Sequence, residues 1–138
     1  MIRIIGVGSP FGADQLGWLA IDHLVACSLP NCELMKLDRP GIGLLDYFQN
    51  VDQVILIDAL LSQEATGRVV LIQADELVDC ESLTSSHGFG VAETVAMAAQ
   101  LGALPARLHL IGILVGDDLS LIPSMDTSAL EKQVHSLL

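Results

Sequence analysis

Val54-Ile55-Leu56-Ile57-Asp58 is the clearest signal of a buried strand in this chain. Four consecutive aliphatic residues are typical of a strand covered on both faces, as at the centre of a parallel sheet. Asp58 follows the run directly, so we expect its carboxylate at the end of this strand. A charge carried to that position needs a cation, a hydrogen-bond donor or a metal beside it.

The segments around this run alternate between strand and helix signals. Upstream, apolar runs predict strands over 2–7 and 32–37, and helical spacing predicts helices over 15–28 and 44–48. Downstream, strands are predicted over 69–72 and 108–114, and helices over 85–102 and 129–137. Ser85 or Ser86 is the expected N-cap of the third helix, and Gly102 its expected end.

The order of these elements predicts the fold class. Alternating strands and helices without a linker predict one α/β domain over residues 1–138, a three-layer αβα sandwich around a mostly parallel five-stranded sheet. The strand at 69–72 follows Asp58 after only about ten residues, too few for a helical crossover. We therefore expect that one strand to run antiparallel at an edge.

Composition excludes several classes of function. Acidic residues outnumber basic ones 17 to 6, for a net charge of -11, which disfavours nucleic acid as a partner. No apolar run reaches the ~18 residues of a membrane span, and the N-terminus leads straight into a strand, so we expect a cytoplasmic protein without membrane insertion. Cys27, Cys32 and Cys80 lack metal-knuckle spacing and are interpreted as small buried hydrophobic residues.

Four polar residues lie at the ends of predicted parallel strands or in the segments that follow predicted strands. Asp14 follows the first strand, Asp38 ends the second, Asp58 ends the third, and His87 begins a helix. Any one aspartate is more often a cap or turn residue, but all βα loops emerge at one edge, so together they predict a site. Two carboxylates and an imidazole would accept nickel or zinc.

The other histidines and the glycines are interpreted as structural. His23 and His135 lie in predicted helices and His109 in a predicted strand, which leaves His87, next to flexible Gly88, as the ligand candidate. Glycines at 6, 8 and 12 depart from the dinucleotide fingerprint. No G-x-S-x-G elbow is present, so hydrolysis would depend on carboxylates, water or metal.

Three segments resemble the maturation endopeptidases of nickel-iron hydrogenases. They are GVGSPFGADQLG at 6–17, VILIDA at 54–59 and SSHGFG at 85–90, with weaker likeness in LDRPGIG at 37–43 and LIGI at 110–113. Their order spans nearly the whole chain. Ala13 stands where many members of that family have a first acid, ahead of the second acid at Asp14, and Ser9 replaces the usual asparagine.

The resemblance implies an aspartic-type endopeptidase that removes the C-terminal extension of a hydrogenase large-subunit precursor after nickel insertion. Nickel carried by the substrate, or zinc or another divalent metal in its place, would be contacted by Asp14, Asp58 and His87. Asp58 or Asp38 would be the catalytic base that activates water. The precursor would be the partner, and the free protein would be a monomer.

Three other functions fit the sequence. Ala13 makes a nickel-dependent checkpoint that binds the precursor without cutting it conceivable. A small hydrolase could carry its own zinc on the same three residues. A nucleotide-binding module is the third alternative and should be stabilised by nucleotide.

Overall fold

A five-stranded sheet forms the centre of the protein in the computed structural model, which describes residues 1–62, 66–73, 75–76 and 90–138. The strand order is β2-β1-β3-β5-β4. The β1–β2, β1–β3 and β3–β5 pairs are parallel, and β4 is antiparallel to β5 at the edge, as the short connection predicts. The strands are β1 Ile2–Gly8, β2 Cys32–Asp38, β3 Gln53–Leu61, β4 Val69–Gln73 and β5 Arg107–Val115.

Helices cover both faces of the sheet. The α-helices with both ends among the described residues are α1 Leu16–Ala26, α2 Val91–Leu101 and α3 Thr127–Leu137, and 3-10 helices span Gly12–Gln15 and Gly41–Phe48. α1 and α3 pack on one face, against side chains that include Ile55 and Ile57. α2 and the second 3-10 helix pack on the other face, against side chains that include Leu56. The predicted three-layer α/β fold is confirmed.

The third strand is longer than predicted, and Asp58 lies inside it. Pairing of β3 with β1 stops at Ile57, opposite Gly6, but pairing with β5 continues to Leu61. The strand continues because β5 still offers hydrogen-bonding groups after β1 has turned away. The prediction that Asp58 ends its strand is therefore wrong by three residues.

α2 begins later than predicted. Its N-cap is Gly90 in an extended conformation, and both the backbone N–H and the Oγ1–H of Thr94 donate to the Gly90 carbonyl. Ser85 and Ser86 are therefore not the caps of this helix, and they lie outside the described residues. The predicted end at Gly102 is confirmed, since this residue adopts the left-handed conformation with φ 68° that favours glycine.

Two smaller expectations also change. The short helix predicted over 44–48 is a 3-10 helix that starts at Gly41. Cys27 and Cys32 are half-buried rather than buried, and Cys80 lies outside the described residues. Among the described residues, no helix is long and apolar enough to cross a membrane.

Candidate active site

The chain reverses its direction of travel across the sheet between β1 and β3. From β1 it moves outward to β2, then returns past β1 to β3 on the other side. In open α/β sheets, ligands bind in the crevice at such a switch point, outside the carboxyl ends of the strands. Asp58 is the first residue of β3 beyond its last pairing with β1. Topology therefore places this carboxylate at the crevice.

Asp58 is fully buried, in a strand of aliphatic residues. Its Oδ1 accepts a hydrogen bond of 2.9 Å from the backbone N–H of Ala59. Strand alternation puts the side chain on the face of Leu56 and Leu60, which is the face covered by α2. Burying a carboxylate in such surroundings is costly. Its presence at the switch point is the strongest structural sign of a functional site.

Asp14 lies in the 3-10 helix that follows β1, and this helix packs against β3. Its Oδ2 accepts a 3.0 Å hydrogen bond from the Ser9 hydroxyl, and its carbonyl accepts one of 3.3 Å from the Ser9 N–H. Ser9 is itself buried. These two bonds fix the half-buried Asp14 carboxylate at the carboxyl edge, and the sequence analysis did not foresee this positioning role of Ser9.

The glycines of the opening segment allow α1 to approach the sheet closely. A Cβ at Gly8 would lie 2.3 Å from the Asp14 carbonyl oxygen. A Cβ at Gly17 would lie 2.2 Å from the Val7 oxygen and 2.9 Å from the Ile57 oxygen. The start of α1 therefore crosses β1 and β3 beside Asp58. This contact explains Gly8 and Gly17 without any bound phosphate.

Asp38 ends β2, where it pairs with Gly8. It is half exposed, and its Oδ1 accepts a 2.8 Å hydrogen bond from Arg39 Nε. The Arg39 guanidinium also lies 5.6 Å from the centroid of the Phe11 ring, so the loops after β1 and β2 are in contact. Asp38 thus shares the edge with Asp14 but faces solvent.

The structure brings three of the four predicted site residues, Asp14, Asp38 and Asp58, to one edge of the sheet. The fourth, His87, lies outside the described residues. The helix that was expected to follow His87 directly begins at Val91.

A further acidic segment, Asp117-Asp118, follows β5 at the same edge. Hydrogen bonds from the Ser120 hydroxyl at 2.6 Å and the Ser120 N–H at 3.1 Å hold the pKa of Asp118 below its ordinary value. The next residue, Leu119, accepts a 2.7 Å bond from the Ala13 N–H, which ties this loop to Asp14's neighbour. This segment was not among the residues predicted from sequence, although only Gly116 separates it from an apolar strand.

Comparison with known proteins identifies relatives. A family model described as hydrogenase maturation protease matches residues 28–135, a range that excludes the loop of Asp14. The hydrogenase expression/formation protein HupD of Thiocapsa roseopersicina is 30% identical over 120 residues, which cover 81% of this chain and 53% of that protein. The HupD protein of Bradyrhizobium diazoefficiens is 28% identical, with 80% of this chain and 60% of that protein covered. The chain therefore spans little more than half of these two relatives.

Other similar proteins are matched over more of their length. The hydrogenase 2 maturation protease of Escherichia coli is 27% identical over 118 residues, which cover 82% of this chain and 72% of that protein. Among solved structures, the hydrogenase maturating endopeptidase HybD from E. coli superposes with a TM-score of 0.73 at 20% identity, covering 99% of this chain and 89% of that one. The maturation protease HybD from Thermococcus kodakarensis gives 0.73 at 19% identity, covering 99% and 97%. At these identities the structures support the fold alone.

Proposed function

We propose that this chain, which belongs to the hydrogenase maturation protease family, is an endopeptidase. Its substrate is the precursor of a nickel-iron hydrogenase large subunit, from which it removes the C-terminal extension after nickel insertion. The observation that carries the proposal is the buried Asp58 carboxylate at the switch point of the sheet. Membership of the family indicates proteolysis, and the aspartates at the carboxyl edge of the sheet are the groups proposed to carry it out. The proposal places the reaction in the cytoplasm, with a free enzyme that is monomeric.

Nickel already bound in the substrate is the recognition signal in this proposal. Asp14 and Asp58 offer carboxylate oxygens at one edge, and His87 is the proposed third ligand. Oxygen and nitrogen donors suit nickel, and also zinc or another divalent metal in its place. The Ser9 hydroxyl holds Asp14 in position before the substrate arrives, which reduces the ordering that docking requires.

Asp38 is the better of the two candidate bases. A carboxylate that contacts a metal is a weak proton acceptor, so an Asp58 engaged with nickel is poorly suited to activate water. Asp38 ends β2, which flanks β1 on the side opposite β3, and half of the surface of Asp38 is open to solvent. Arg39 occupies its Oδ1, which leaves Oδ2 to accept a proton from water that attacks the scissile carbonyl.

Exposed apolar side chains around the edge fit a protein substrate. Phe11 follows β1 and is 66% exposed, Ile42 follows β2 and is 53% exposed, and Leu121 follows β5 and is 66% exposed. Apolar groups at the rim of a polar site are typical of surfaces that bind proteins. A small polar substrate would gain little from them.

Three aspartate variants test the assignment on a purified, nickel-loaded precursor. We expect Asp38→Asn to bind the precursor but to cut it about 10²–10⁴ times more slowly, the range for loss of a general base. Asp14→Asn and Asp58→Asn should lose both nickel-dependent binding and cleavage. Asp46→Asn, a change at an exposed aspartate in the second 3-10 helix, is the matched control and should cut normally.

Binding is measured by co-elution and cleavage by intact mass. If Asp38→Asn cuts at the normal rate, the base assignment is wrong. If Asp14→Asn and Asp58→Asn both bind and cut normally, the proposed nickel contact at this edge is wrong.

The checkpoint alternative depends on Ala13, which stands where many members of the family have an acid. The burial of this position gives another reason for the alanine. Ala13 is fully buried in the core on the α1 face, where an acid would be a buried charge. Co-elution of wild-type protein with a nickel-loaded precursor of unchanged mass would nevertheless favour the checkpoint. A tightly held zinc in the free enzyme that Asp58→Asn removes would favour the zinc hydrolase.

A further inference from the structure

A cluster of three metal-ligating side chains joins α1 to α3, away from the candidate active site. His23 lies on α1, Cys27 is the C-cap of that helix, and Glu131 lies on α3. One ligand atom from each lies within 4.8 Å of the other two. All three residues are half-buried. From sequence, His23 and Cys27 are interpreted as structural, because their proximity to Glu131 exists only once the two helices pack.

The contacts of the cluster centre on one carboxylate oxygen. Glu131 Oε1 lies 2.8 Å from His23 Nε2 and 3.4 Å from Cys27 Sγ. His23 and Cys27 are four residues apart on α1, so their side chains lie on one face of the helix. Nitrogen, sulfur and oxygen donors therefore already converge on one point without any movement of the backbone.

The location separates this cluster from the carboxylates at the sheet edge. α1 starts at that edge with Leu16 and runs back along the sheet. His23 is two turns further along, roughly 10 Å from the start of the helix. Cys27 follows the last residue of α1, at the opposite end of the helix from Asp14.

We propose that His23, Cys27 and Glu131 form a zinc(II) site that fastens α1 to α3. A thiolate, an imidazole and a carboxylate are all established zinc ligands, and the thiolate disfavours hard cations such as Mg²⁺. Zinc bonds of about 2.0–2.3 Å in tetrahedral geometry separate the ligand atoms by roughly 3.3–3.6 Å. The Glu131–Cys27 separation of 3.4 Å already lies in that range, and the Glu131–His23 separation of 2.8 Å reaches it with a side-chain movement of about half an ångström. The ligand atoms of His23 and Cys27 lie within 4.8 Å of each other.

A shallow surface depression, lined by residues that include Glu131, Lys132 and His135, borders the cluster at Glu131. Water would supply the fourth ligand of the proposed zinc, as in zinc sites with three protein ligands. The same depression gives the ion its path of entry.

Cobalt(II) substitution tests the site directly, because a thiolate ligand gives cobalt a charge-transfer absorption in the near ultraviolet. We expect the full-length protein to show this absorption with one equivalent of Co²⁺, and Zn²⁺ to abolish it by displacement. Cys27→Ser should lose the absorption. Cys32→Ser, a change at another half-buried cysteine, is the matched control and should keep it. Asp58→Asn should also keep it, which distinguishes this site from the sheet edge.

Zinc affinity and thermal unfolding give a second readout. Zn²⁺ should raise the midpoint of thermal unfolding of the wild-type protein, and Mg²⁺ should not. Glu131→Gln should bind zinc at least ~10-fold more weakly, and it serves as the second variant if Cys27→Ser does not fold. No thiolate absorption in the wild-type protein, or one that Cys32→Ser removes and Cys27→Ser does not, would overturn the proposal.

Discussion

At the scale of single residues, positions without a side chain shape the candidate site as much as the carboxylates do. Gly8 and Gly17 let the first 3-10 helix and α1 lie against the backbone of β1 and β3. Asp14 reaches the crevice because of this close approach. The glycines were visible in the sequence, but their reason was not, because the backbone atoms that each one approaches are known only once α1 packs on the sheet.

Gly17→Ala should destabilise the protein by roughly 1–3 kcal/mol, the usual cost of forcing extra volume into a packed region. The added methyl group would lie 2.2 Å from the Val7 carbonyl oxygen, and backbone cannot move aside as a side chain can. Urea unfolding followed by circular dichroism measures the change.

Gly43→Ala is the matched control, because a Cβ there meets nothing within 4 Å. We expect its unfolding free energy to stay within about 0.5 kcal/mol of wild type or to rise slightly. Equal stability of Gly17→Ala and wild type would show that α1 does not approach the sheet as described.

At the scale of elements, strand identities were predictable and element ends were less so. Runs such as residues 54–57 are apolar enough to identify a central strand from sequence alone. The end of β3 depends on how far β5 continues beside it, and the start of α2 depends on Gly90 and its bonds to Thr94. Both are properties of neighbouring segments, so a local pattern cannot supply them.

The antiparallel edge provides a pH-dependent contact. Gln73 on β4 lies opposite His109 on β5, and Gln73 Oε1 is 2.5 Å from His109 Nδ1. Burial, and secondarily the positive charge of Arg107, lower the pKa of His109 below its ordinary value. Between the two pKa values, the folded protein therefore keeps this imidazole neutral at a pH at which the unfolded chain already takes up a proton.

The contribution of His109 to stability should be complete above about pH 6.5, the ordinary imidazole pKa. It should be lost as the pH falls from there towards the lowered pKa of the folded state, because the unfolded state then binds more protons. We expect His109→Gln to lose less unfolding free energy than wild type between pH 7 and pH 5.5. The other titrating groups are common to both proteins, so the difference reports His109. Parallel curves would contradict the assigned direction of the pKa shift.

At the scale of the whole molecule, the candidate site is a product of topology. Asp14, Asp38 and Asp58 are far apart in sequence and meet at one edge because β1, β2 and β3 are parallel neighbours. The rule for parallel sheets was sufficient to predict this. It could not predict the Ser9–Asp14 bond, or the packing of α1 on α3 that assembles His23, Cys27 and Glu131, because both depend on tertiary contacts.

The most direct test of the proposed function is the intact mass of a hydrogenase large-subunit precursor after incubation with this protein, with nickel-loaded and nickel-free precursor compared. The proposal predicts that a C-terminal peptide is lost from the nickel-loaded form alone. An unchanged mass for both forms, or equal cleavage of both, would contradict a peptidase that uses nickel in its substrate as the signal to cut.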